Sequence, residues 1–531
     1  MPEKTMKPGS PAHSRLSNQH EAEILLRSHP GVREAAVVRW NSDTFTEEIR
    51  VAYVVPNKDY IDRVLAGEEW ERKRIQKWGK TFDLSQLGKQ VGPSDPVFNI
   101  AGWNSSYTRQ PIPAEHMREW VEVTIQELQA FHPREVLEIG CGAGLLLLRL
   151  AGDCARYVGT DIASTVLKKL RKQMDELGGK WSNVTLLERS AENLEGFAEG
   201  SFDTVILNSV VKYFPNVSYL LGVLGGALRL VKPGGRIFIG DVRNLALLEP
   251  CAVSIELYQA QPSMSLAEVH ERVSHRIQFE DQLVISPAFF LALRERFSRI
   301  TGVEVHPRAG RFDNEMTRFR FQAILQVETQ REEQLDISFL DWTEQRLPPD
   351  SIAALLRDKK PKWLAMKNVA NSRIEKDILS LKELARGESS GTVGELKQSL
   401  EKCEQKGIDP QRLWILGGEL GYQVDISWAA CRPDGSYDLV FRKIDDNGEL
   451  LRQAIPWTQP HIVAKELTQY ANTPGRGVLL AELIKQLLDY CRQSLPQDSI
   501  PTEVILMGAL PLTTDGKVDV QKLPPPGVQP G

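Results

Sequence analysis

The stretch that decides the fold lies at residues 136–144 and reads VLEIGCGAG. Its first four residues predict a buried strand that ends at Ile139, and the glycines predict a tight turn before a helix near Leu145. Glycine permits positive φ angles and leaves no Cβ between the backbone and a ligand. The start of the following helix offers unpaired N–H groups to a carboxylate or a phosphate. The stretch therefore predicts a ligand site at the end of a strand.

The glycines Gly140, Gly142 and Gly144 follow the spacing GxGxG. The dinucleotide fingerprint GxGxxG requires a glycine where Leu145 stands, so the spacing disfavours a nicotinamide or flavin cofactor. Taken alone, the spacing is equally compatible with a turn that has only a structural role.

Short apolar strands alternate with helices around this turn. The predicted strands are 136–139, 157–160, 184–187, 204–207 and 236–240, and helices such as 145–151 and 165–177 lie between them. Such alternation indicates a parallel sheet with helices on both faces, which makes this part of the chain an α/β fold.

Polar residues stand at the ends of the next three strands. Asp161 follows the second strand, Glu192 follows the third, and Asn208 ends the fourth. The carboxyl ends of parallel strands meet at one edge of a sheet, where ligands of such folds bind. An acid at the second tip can accept both hydroxyl groups of a ribose, and Glu192 is placed to reach an adenine. Together with the glycine turn, these residues predict a nucleoside site.

Composition bounds the remaining possibilities. The 531 residues are enough for about three domains. A net charge of −5, with no long run of Lys or Arg, argues against a nucleic-acid or anionic-membrane partner. No apolar stretch approaches ~18 residues, so no membrane-spanning helix is expected. The six cysteines are scattered without a CxxC pair, which predicts no disulfide framework and no metal site and favours a reduced, cytoplasmic setting.

The glycine turn and the three polar tips resemble those of the class I S-adenosylmethionine-dependent methyltransferases, which have a Rossmann-like α/β fold. The resemblance implies that S-adenosylmethionine is the cofactor. It places the methionyl part on the glycine turn, the ribose on Asp161 and the adenine on Glu192. The cofactor-binding residues that it implies are Glu138, Gly140, Cys141, Gly142, Gly144, Asp161, Ile162, Ala191, Glu192 and Asn208.

Flanking motifs narrow the resemblance to one kind of methyltransferase. The motifs NSVVKYFP at 208–215, GDVR at 240–243 and NEMTRFRF at 314–321 are similar to those of methyltransferase domains in nonribosomal peptide synthetases. In that family the methyltransferase is inserted into the small α+β C-terminal subdomain of an amino-acid adenylation domain. Lys212 stands where we expect Gln in the family.

The two ends of the chain resemble the two parts of that subdomain. RSHPGVREA at 27–35 is similar to its start, and LPLTTDGKVD at 510–519 is similar to its tenth core motif, with Lys517 at the family's catalytic lysine. The large adenylation subdomain and a carrier serine motif are missing from this sequence, so the chain alone is not expected to activate an amino acid. Lys517 is either functional here or a remnant.

Sequence patterns and the resemblance together divide the chain into seven segments. These are a disordered tail (1–18), the first part of the adenylation subdomain (19–57), a connector (58–96), the methyltransferase core (97–250), a helical lid and substrate region (251–330), a C-terminal appendage (331–460) and the second part of the adenylation subdomain (461–527).

The family's acceptor is an aminoacyl thioester on the phosphopantetheine arm of a peptidyl carrier protein, so the resemblance implies that carrier as a partner. A large adenylation subdomain or a small helper protein is a further expected partner. An α-amine has a pKa of about 7.7–8.0 and is partly neutral near pH 7, so its methylation requires no strong base. An aliphatic hydroxyl hardly ionises near neutrality. No His stands in the strand-tip motifs, which favours N-methylation.

The candidate catalytic residues are Asn208, Tyr213, Asp241, Arg243, Glu315 and Arg318. Asn208 and Tyr213 are expected to orient the acceptor, and Asp241 to bind the amine or accept its proton. Arg243 is expected to position the thioester arm. Glu315 and Arg318 are expected to close over the site.

Alternatives stay open at each level. Tyr213 could be core packing, Asp241 could pair with Arg243, and Glu315 could form a surface pair with Arg318. The chain could instead O-methylate a side-chain hydroxyl of a carrier-bound amino acid. It could also be a non-catalytic module that docks a carrier or an adenylation core.

Overall fold

The structure, a computed structural model, describes residues 6–8, 13–42, 49–85, 95, 97–178, 181–330, 334–386, 391–404, 406–445, 453–459 and 466–526. The chain divides into two compact units. One consists of Met1–Glu71, Ser274–Asp281 and Thr473–Gly531, and the larger one consists of Arg72–Val273 and Gln282–Asn472.

The strands are, in chain order, β1 (Met6–Pro8), β2 (Val32–Ser42), β3 (Ile49–Pro56), β4 (Glu135–Ile139), β5 (Arg156–Asp161), β6 (Val184–Glu188), β7 (Phe202–Asn208), β8 (Val231–Arg243), β9 (Ile300–Pro307), β10 (Arg320–Val327), β11 (Phe339–Asp341), β12 (Trp363–Val369), β13 (Tyr422–Ser427), β14 (Tyr437–Lys443) and β15 (Glu503–Leu506).

The α-helices are α1 (His13–Ser28), α2 (Lys58–Leu65), α3 (Glu68–Ser85), α4 (Ala114–Gln129), α5 (Leu147–Leu150), α6 (Ser164–Leu177), α7 (Val217–Leu230), α8 (Leu248–Gln259), α9 (Leu266–Gln278), α10 (Pro287–Arg296), α11 (Glu315–Phe319), α12 (Trp342–Gln345), α13 (Pro349–Lys359), α14 (Glu375–Ala385), α15 (Val393–Lys402), α16 (Pro410–Glu419) and α17 (Arg476–Ser494).

The smaller unit is built on a sheet in the order β1-β2-β3-β15, in which β15 runs parallel to β3 and the other pairs are antiparallel. Val37 and Val54 of this sheet share a buried cluster with Leu26 of α1 and Leu483 of α17. Successive strand residues face opposite sides, and Tyr53 accordingly belongs to a separate cluster. Segments from both ends of the chain therefore build one α+β unit.

The larger unit contains a seven-stranded sheet in the order β6-β5-β4-β7-β8-β10-β9. The first five strands are parallel, and β10 runs antiparallel to both β8 and β9. The strand order reverses between β4 and β7, and such a reversal opens a crevice at the carboxyl ends of the strands. The glycine turn follows β4 and therefore lies at this crevice.

Apolar residues cover both faces of this sheet. Ile206 shares a buried cluster with Leu167 of α6, whereas its neighbour Leu207 shares another with Leu224 of α7. Adjacent strand residues thus anchor helices on opposite faces, as a doubly covered parallel sheet requires.

A third sheet, β11-β12-β14-β13, forms the carboxyl part of the larger unit together with α13 to α16. Strand β11 is parallel to β12, and the other pairs are antiparallel. Phe441 of β14 and Val305 of β9 belong to one buried cluster, so this appendage shares a core with the seven-stranded sheet.

The five predicted strands are present as β4 to β8, each longer than predicted at one or both ends, and the predicted helix 165–177 is α6. The helix predicted over 145–151 is shorter than expected. It forms the single turn α5 and then tightens into a 3₁₀ turn at Ala151–Asp153. The chain becomes extended at Cys154 to enter β5, which leaves no room for further helical turns.

The predicted disordered tail overlaps β1 and the start of α1, while its residues 1–5 and 9–12 lie outside the described residues. The predicted connector contains α2 and α3, and residues 86–94 and 96 are not among those described. Across the described helices, none combines the length and the apolar character that crossing a membrane would require.

A half-buried ion pair in the larger unit makes stability depend on pH. His306 of β9 lies with Nε2 2.9 Å from Oε1 of Glu127 in α4. Burial alone would lower the pKa of His306, but the Glu127 carboxylate outweighs this effect and raises the pKa to about 9. The stabilisation is complete below the unfolded pKa of about 6.5 and is lost as the pH rises through the folded value.

We therefore expect the wild type to lose up to about 3 kcal/mol of unfolding free energy, relative to His306→Gln, between about pH 6 and about pH 10. Urea denaturation of both proteins at the two pH values measures this difference. An equal loss in both proteins would contradict the prediction.

Candidate active site

The turn after β4 holds three glycines in left-handed conformations. The φ angle is +77° at Gly140, +51° at Gly142 and +77° at Gly144. A Cβ on Gly140 would lie 2.6 Å from Val210, and a Cβ on Gly144 would lie 2.6 Å from Leu170. Both packing and backbone conformation therefore require glycine at these two positions.

Gly142 differs from the other two glycines. A Cβ built on it has no described atom within 4 Å, so this backbone faces open space. Open space beside a residue without a side chain suits a ligand that approaches the backbone closely. The turn therefore fits the methionyl part of S-adenosylmethionine.

Replacing Gly142 with alanine is expected to weaken binding of S-adenosylmethionine without loss of the fold. The added methyl group enters the open space, and the left-handed backbone costs alanine only about 1–2 kcal/mol. Gly144→Ala is the matched control, because it adds a collision with Leu170 and should destabilise the protein more. Calorimetric titration and thermal denaturation measure both effects. Unchanged affinity in Gly142→Ala would refute the cradle assignment.

Asp161 ends β5 and holds the glycine turn. Its Oδ2 accepts the N–H of Gly142 at 2.8 Å, and its Oδ1 accepts the N–H of Ala163 at 2.8 Å. Burial raises the pKa of Asp161. Each carboxylate oxygen keeps a further lone-pair site, so the ribose contact stays a prediction that this geometry permits.

Two of the implied cofactor residues have buried side chains. Glu138 is buried, and its Oε2 accepts the hydroxyl of Tyr157 at 2.7 Å. Burial raises the pKa of Glu138 to about 8, so its carboxyl group holds a proton at neutral pH. Cys141 is also buried, and burial raises the pKa of its thiol. These side chains support the turn from inside, and direct cofactor contact by them stays a prediction.

The carboxyl-terminal part of α3 forms a wall beside Ile162. This apolar side chain is 37% exposed, and a Cβ on Gly79 of α3 would lie 3.4 Å from its Cγ2. Asp83 of α3 accepts the N–H of Thr165 at 2.9 Å, which fixes the helix at the start of α6. A partly exposed apolar side chain at a strand tip suits contact with a flat base.

Glu192 and Ala191 follow β6. The Glu192 carboxylate is exposed and accepts the hydroxyl of Ser190 at 2.8 Å, and it also accepts the hydroxyl of Tyr219. Ala191 packs half-buried against the core. The expected adenine contact of both residues stays a prediction.

Asn208 ends β7 opposite Gly240 of β8. It is 8% exposed, and its Oδ1 accepts no hydrogen bond from any described residue. A Cβ on Gly240 would collide with this oxygen, so glycine is required there. A buried acceptor without a partner is costly, and at a strand tip it marks a place for a ligand donor.

Asp241 is 1% exposed and accepts hydrogen bonds from three side chains. Ser209 Oγ donates at 2.7 Å, Lys212 Nζ at 2.9 Å and Arg320 Nη1 at 2.8 Å. The φ angles of Ser209 and Asp241 are +60° and +61°, which non-glycine residues hold only where the surroundings fix them.

Glu315 joins this group through Arg320. Arg320 Nη2 donates to Glu315 Oε1 at 2.9 Å, and the backbone N–H and hydroxyl of Ser106 donate to the same carboxylate at 2.8 and 3.1 Å. We call Lys212, Asp241, Glu315 and Arg320 the buried charge cluster. It contains two cations and two carboxylates, so its formal charges cancel.

The cluster bears on the role expected of Asp241. Burial opposes its ionisation, but Arg320 and Lys212 outweigh this effect and hold the pKa of Asp241 well below its usual range. Both carboxylate oxygens accept hydrogen bonds, and a carboxyl group with so low a pKa is a weak base. That Asp241 binds the amine or accepts its proton stays a prediction, and so does its pairing with Arg243, whose Nη1 donates to Gln282 Oε1 at 3.1 Å.

Tyr213 packs against two aromatic rings of α3. Its ring centroid lies 4.6 Å from that of Trp78 and 5.0 Å from that of Phe82. Burial raises the pKa of Tyr213 to about 12, so it stays protonated. The structure therefore shows the packing role of Tyr213. Orientation of an acceptor by Tyr213 stays a prediction.

Arg318 bonds to the appendage, and its expected closure over the site stays a prediction. Its Nε donates to the backbone oxygen of Arg373 at 2.9 Å, and its Nη2 pairs with Asp377 of α14. It therefore ties α11 to the appendage. The surface pair with Glu315 is wrong, since Glu315 is buried and pairs with Arg320.

Lys517 belongs to the smaller unit. Its side chain is exposed, and Nζ lies 3.3 Å from Oδ2 of Asp515. Whether it acts in adenylation stays a prediction.

Sequence reasoning missed several members of this site. Ser106 carries no motif of its own, and Trp78 and Phe82 lie in what the sequence indicated only as a connector. Arg320 lies within the motif at 314–321 but was not singled out there, and Lys212 was noted only as a departure from the family pattern.

Comparisons with known proteins show what the chain is similar to. Residues 137–237 match a protein family described as a methyltransferase domain. The chain is 38% identical over 525 residues to chondramide synthase cmdD of Chondromyces crocatus, which covers 96% of this chain. It is 31% identical over 513 residues to CymA of Salinispora arenicola, a probable non-canonical nonribosomal peptide synthetase, and 27% identical over 528 residues to cyclosporin synthetase simA of Tolypocladium inflatum.

These relatives are much longer than the chain. The match spans 13% of the length of the first, 6% of the second and 3% of the third. It covers 95–96% of this chain in each case, so both units take part in the similarity. The resemblance to nonribosomal peptide synthetases that the motifs indicated is thus confirmed.

The sheet order, with a reversal between β4 and β7 and an antiparallel β10, and the matched family lead to one conclusion. The chain carries a methyltransferase domain of the nonribosomal peptide synthetase type, with the class I α/β fold of enzymes that use S-adenosylmethionine.

Proposed function

We propose that the chain transfers a methyl group from S-adenosylmethionine to the α-amine of an aminoacyl thioester carried by a peptidyl carrier protein. The relatives' names supply the setting of nonribosomal peptide synthesis. The observation that carries the choice of acceptor is the buried Oδ1 of Asn208, which lacks a donor among the described residues.

An amine matches this acceptor better than an ionised oxygen does. A neutral amine has N–H donors and a lone pair, so Asn208 Oδ1 can hold one N–H while the lone pair points at the methyl donor. S-adenosylmethionine supplies a methyl group already activated by the positive sulfur. The protein's task is alignment, which can supply roughly 7–11 kcal/mol of the barrier.

Hydroxyl methylation would need a base that the site offers less readily. The cations beside Asp241 lower its pKa so far that its carboxylate is a weak base. Burial keeps Tyr213 protonated, so its hydroxyl cannot act as a base either. No His stands in the segments 140–144, 161–162, 190–192, 208–214 or 240–243. The amine requires no such base, since a free α-amine is partly neutral near pH 7.

Carriers loaded with two aminoacyl groups test the proposal. Alanine has a free amine and no side-chain hydroxyl, whereas N-methylserine has a free hydroxyl and an amine that is already methylated. We expect intact-carrier mass spectrometry to show gain of one methyl group on alanine only. Methylation of N-methylserine alone would establish O-methylation instead. No transfer to any loaded carrier would leave the docking module as the function.

Asn208→Ala tests the observation that carries the proposal. We expect slower transfer to alanyl carrier with unchanged binding of S-adenosylhomocysteine, because the side chain is assigned to the acceptor. A loss of cofactor binding alone would place Asn208 in the cofactor site, as the resemblance also allows.

A further inference from the structure

Lys212 lies in the 3₁₀ turn at Val211–Tyr213, directly after β7, and is buried. Its Nζ donates to Ser209 Oγ at 2.8 Å and to Asp241 Oδ2 at 2.9 Å. An ammonium group has three N–H donors. Within the part of the chain that the structure describes, these two oxygens are the hydrogen-bond acceptors of Nζ.

Two aromatic rings also lie near Nζ. It lies 5.2 Å from the ring centroid of Trp103 and 5.4 Å from that of Tyr213. A ring attracts a cation but is a weaker partner for an N–H than a carbonyl or carboxylate oxygen. A buried N–H without an oxygen acceptor costs free energy, which a ligand oxygen placed there would recover.

The charges around Nζ favour a neutral ligand oxygen. Asp241 attracts the Lys212 ammonium, while Arg320 and Arg243 repel it, and Glu315 neutralises Arg320. Burial lowers the pKa of Lys212 to about 8, so it remains mainly a donor at neutral pH. The four charges of the buried charge cluster cancel, and Arg243 lies outside it, so a neutral ligand oxygen can accept from Lys212 without a charge of its own.

Lys212 stands four residues after Asn208, at the same end of β7. Lys212 supplies a buried donor, and Asn208 supplies a buried acceptor that has no partner among the described residues. An α-aminoacyl group presents the complementary pair, an amine N–H and a carbonyl oxygen on adjacent carbon atoms. Asn208 thus suits the amine of the aminoacyl group, and Lys212 suits its carbonyl oxygen.

We propose that Lys212 Nζ donates a hydrogen bond to the carbonyl oxygen of the acceptor aminoacyl thioester. The bond fixes the acyl group so that its amine faces the methyl donor. This inference rests on the proposed function, which supplies the carbonyl. It gives this chain an acyl contact at a position where the family is expected to have Gln, whose amide is also a donor.

A thermodynamic cycle on binding tests the inference. The ligands are an aminoacyl pantetheine thioester and the matching thioether, in which a methylene replaces the carbonyl, each titrated with S-adenosylhomocysteine present. The proteins are the wild type, Lys212→Met, which has similar length and no donor, and Lys212→Gln, which keeps a donor. Differences between the two ligands unrelated to Lys212 cancel in the cycle.

We expect Lys212→Met to reduce the preference for the thioester over the thioether by about 10- to 100-fold, because a charged donor is lost. Lys212→Gln should keep part of the preference. An unchanged preference in Lys212→Met would overturn the inference. Binding of S-adenosylhomocysteine and the denaturation midpoint report whether the variants remain folded.

A measurement on the wild type tests the inference even if Lys212→Met fails to fold. The infrared band of a ¹³C-labelled thioester carbonyl should lie at lower frequency in the complex than in an aprotic solvent, as that of a hydrogen-bonded carbonyl does. An unshifted band would overturn the inference, and so would a failure of the thioester to bind. If the amine is methylated but the band is unshifted, only the role of Lys212 is refuted. If the band is shifted but methylation occurs only at a hydroxyl, only the proposed function is refuted.

Discussion

Replacing Asp161 with alanine is expected to abolish binding of S-adenosylmethionine. The carboxylate accepts the N–H groups of Gly142 and Ala163, and it is the expected ribose contact. Hydrogen bonds to charged groups contribute about 1.5–3 kcal/mol each, so loss of the two expected from the ribose hydroxyls should weaken binding at least about 100-fold. Isothermal titration with S-adenosylmethionine measures the change.

Asp153→Ala is the matched control for this experiment. Asp153 precedes β5 at the opposite end of the strand and is exposed. Its replacement should leave cofactor affinity unchanged. Unchanged affinity in Asp161→Ala would show that the glycine turn holds its shape without the carboxylate and that the ribose lies elsewhere.

Replacing Arg320 with methionine is expected to destabilise the larger unit strongly. Arg320 pairs with both Asp241 and Glu315, and these carboxylates are buried. Removing one partner of a buried ion pair leaves an uncompensated charge, which costs about 3–5 kcal/mol. Calorimetric denaturation should show a lower midpoint for the transition of this unit.

Arg311→Met provides the comparison for Arg320. Arg311 also pairs with a carboxylate, that of Glu119, but the Arg311 side chain is 74% exposed. Exposed pairs contribute about 0–1 kcal/mol, so its loss should be small. Equal stability of the two variants would mean that Lys212 and solvent compensate for Arg320, and the buried charge cluster would not be a unit.

The cluster also bears on chemistry, because a carboxylate that two cations hold ionised is a weak base. The Asp241 carboxylate accepts hydrogen bonds from Ser209, Lys212 and Arg320. It therefore links the ends of β7, β8 and β10 and holds Lys212 and Ser209 in place. A site arranged in this way favours alignment of a nucleophile over its deprotonation.

Local sequence patterns determined the parallel part of the central sheet, β4 to β8, whereas β9 and β10 lie in the segment that was expected to be a helical lid. The strands around residues 136–240 are short, apolar and bounded by turn residues, so their burial follows from their own composition. The glycine turn, Asp161 and Asn208 could be placed at strand ends for the same reason. Motifs at both ends of the chain gave the resemblance that its relatives confirm.

Tertiary structure alone decided which charges meet. Lys212, Arg320 and Glu315 lie up to about a hundred residues apart in the sequence, and nothing local marks Arg320 as the partner of Asp241 instead of Arg243. Hydrophobic periodicity reports whether a residue is buried, but an ion pair depends on register between strands that are distant in the chain. The pairing of β8 with β10, which sets Arg243 opposite Arg320, is such a register, and it brings Arg320 to Asp241.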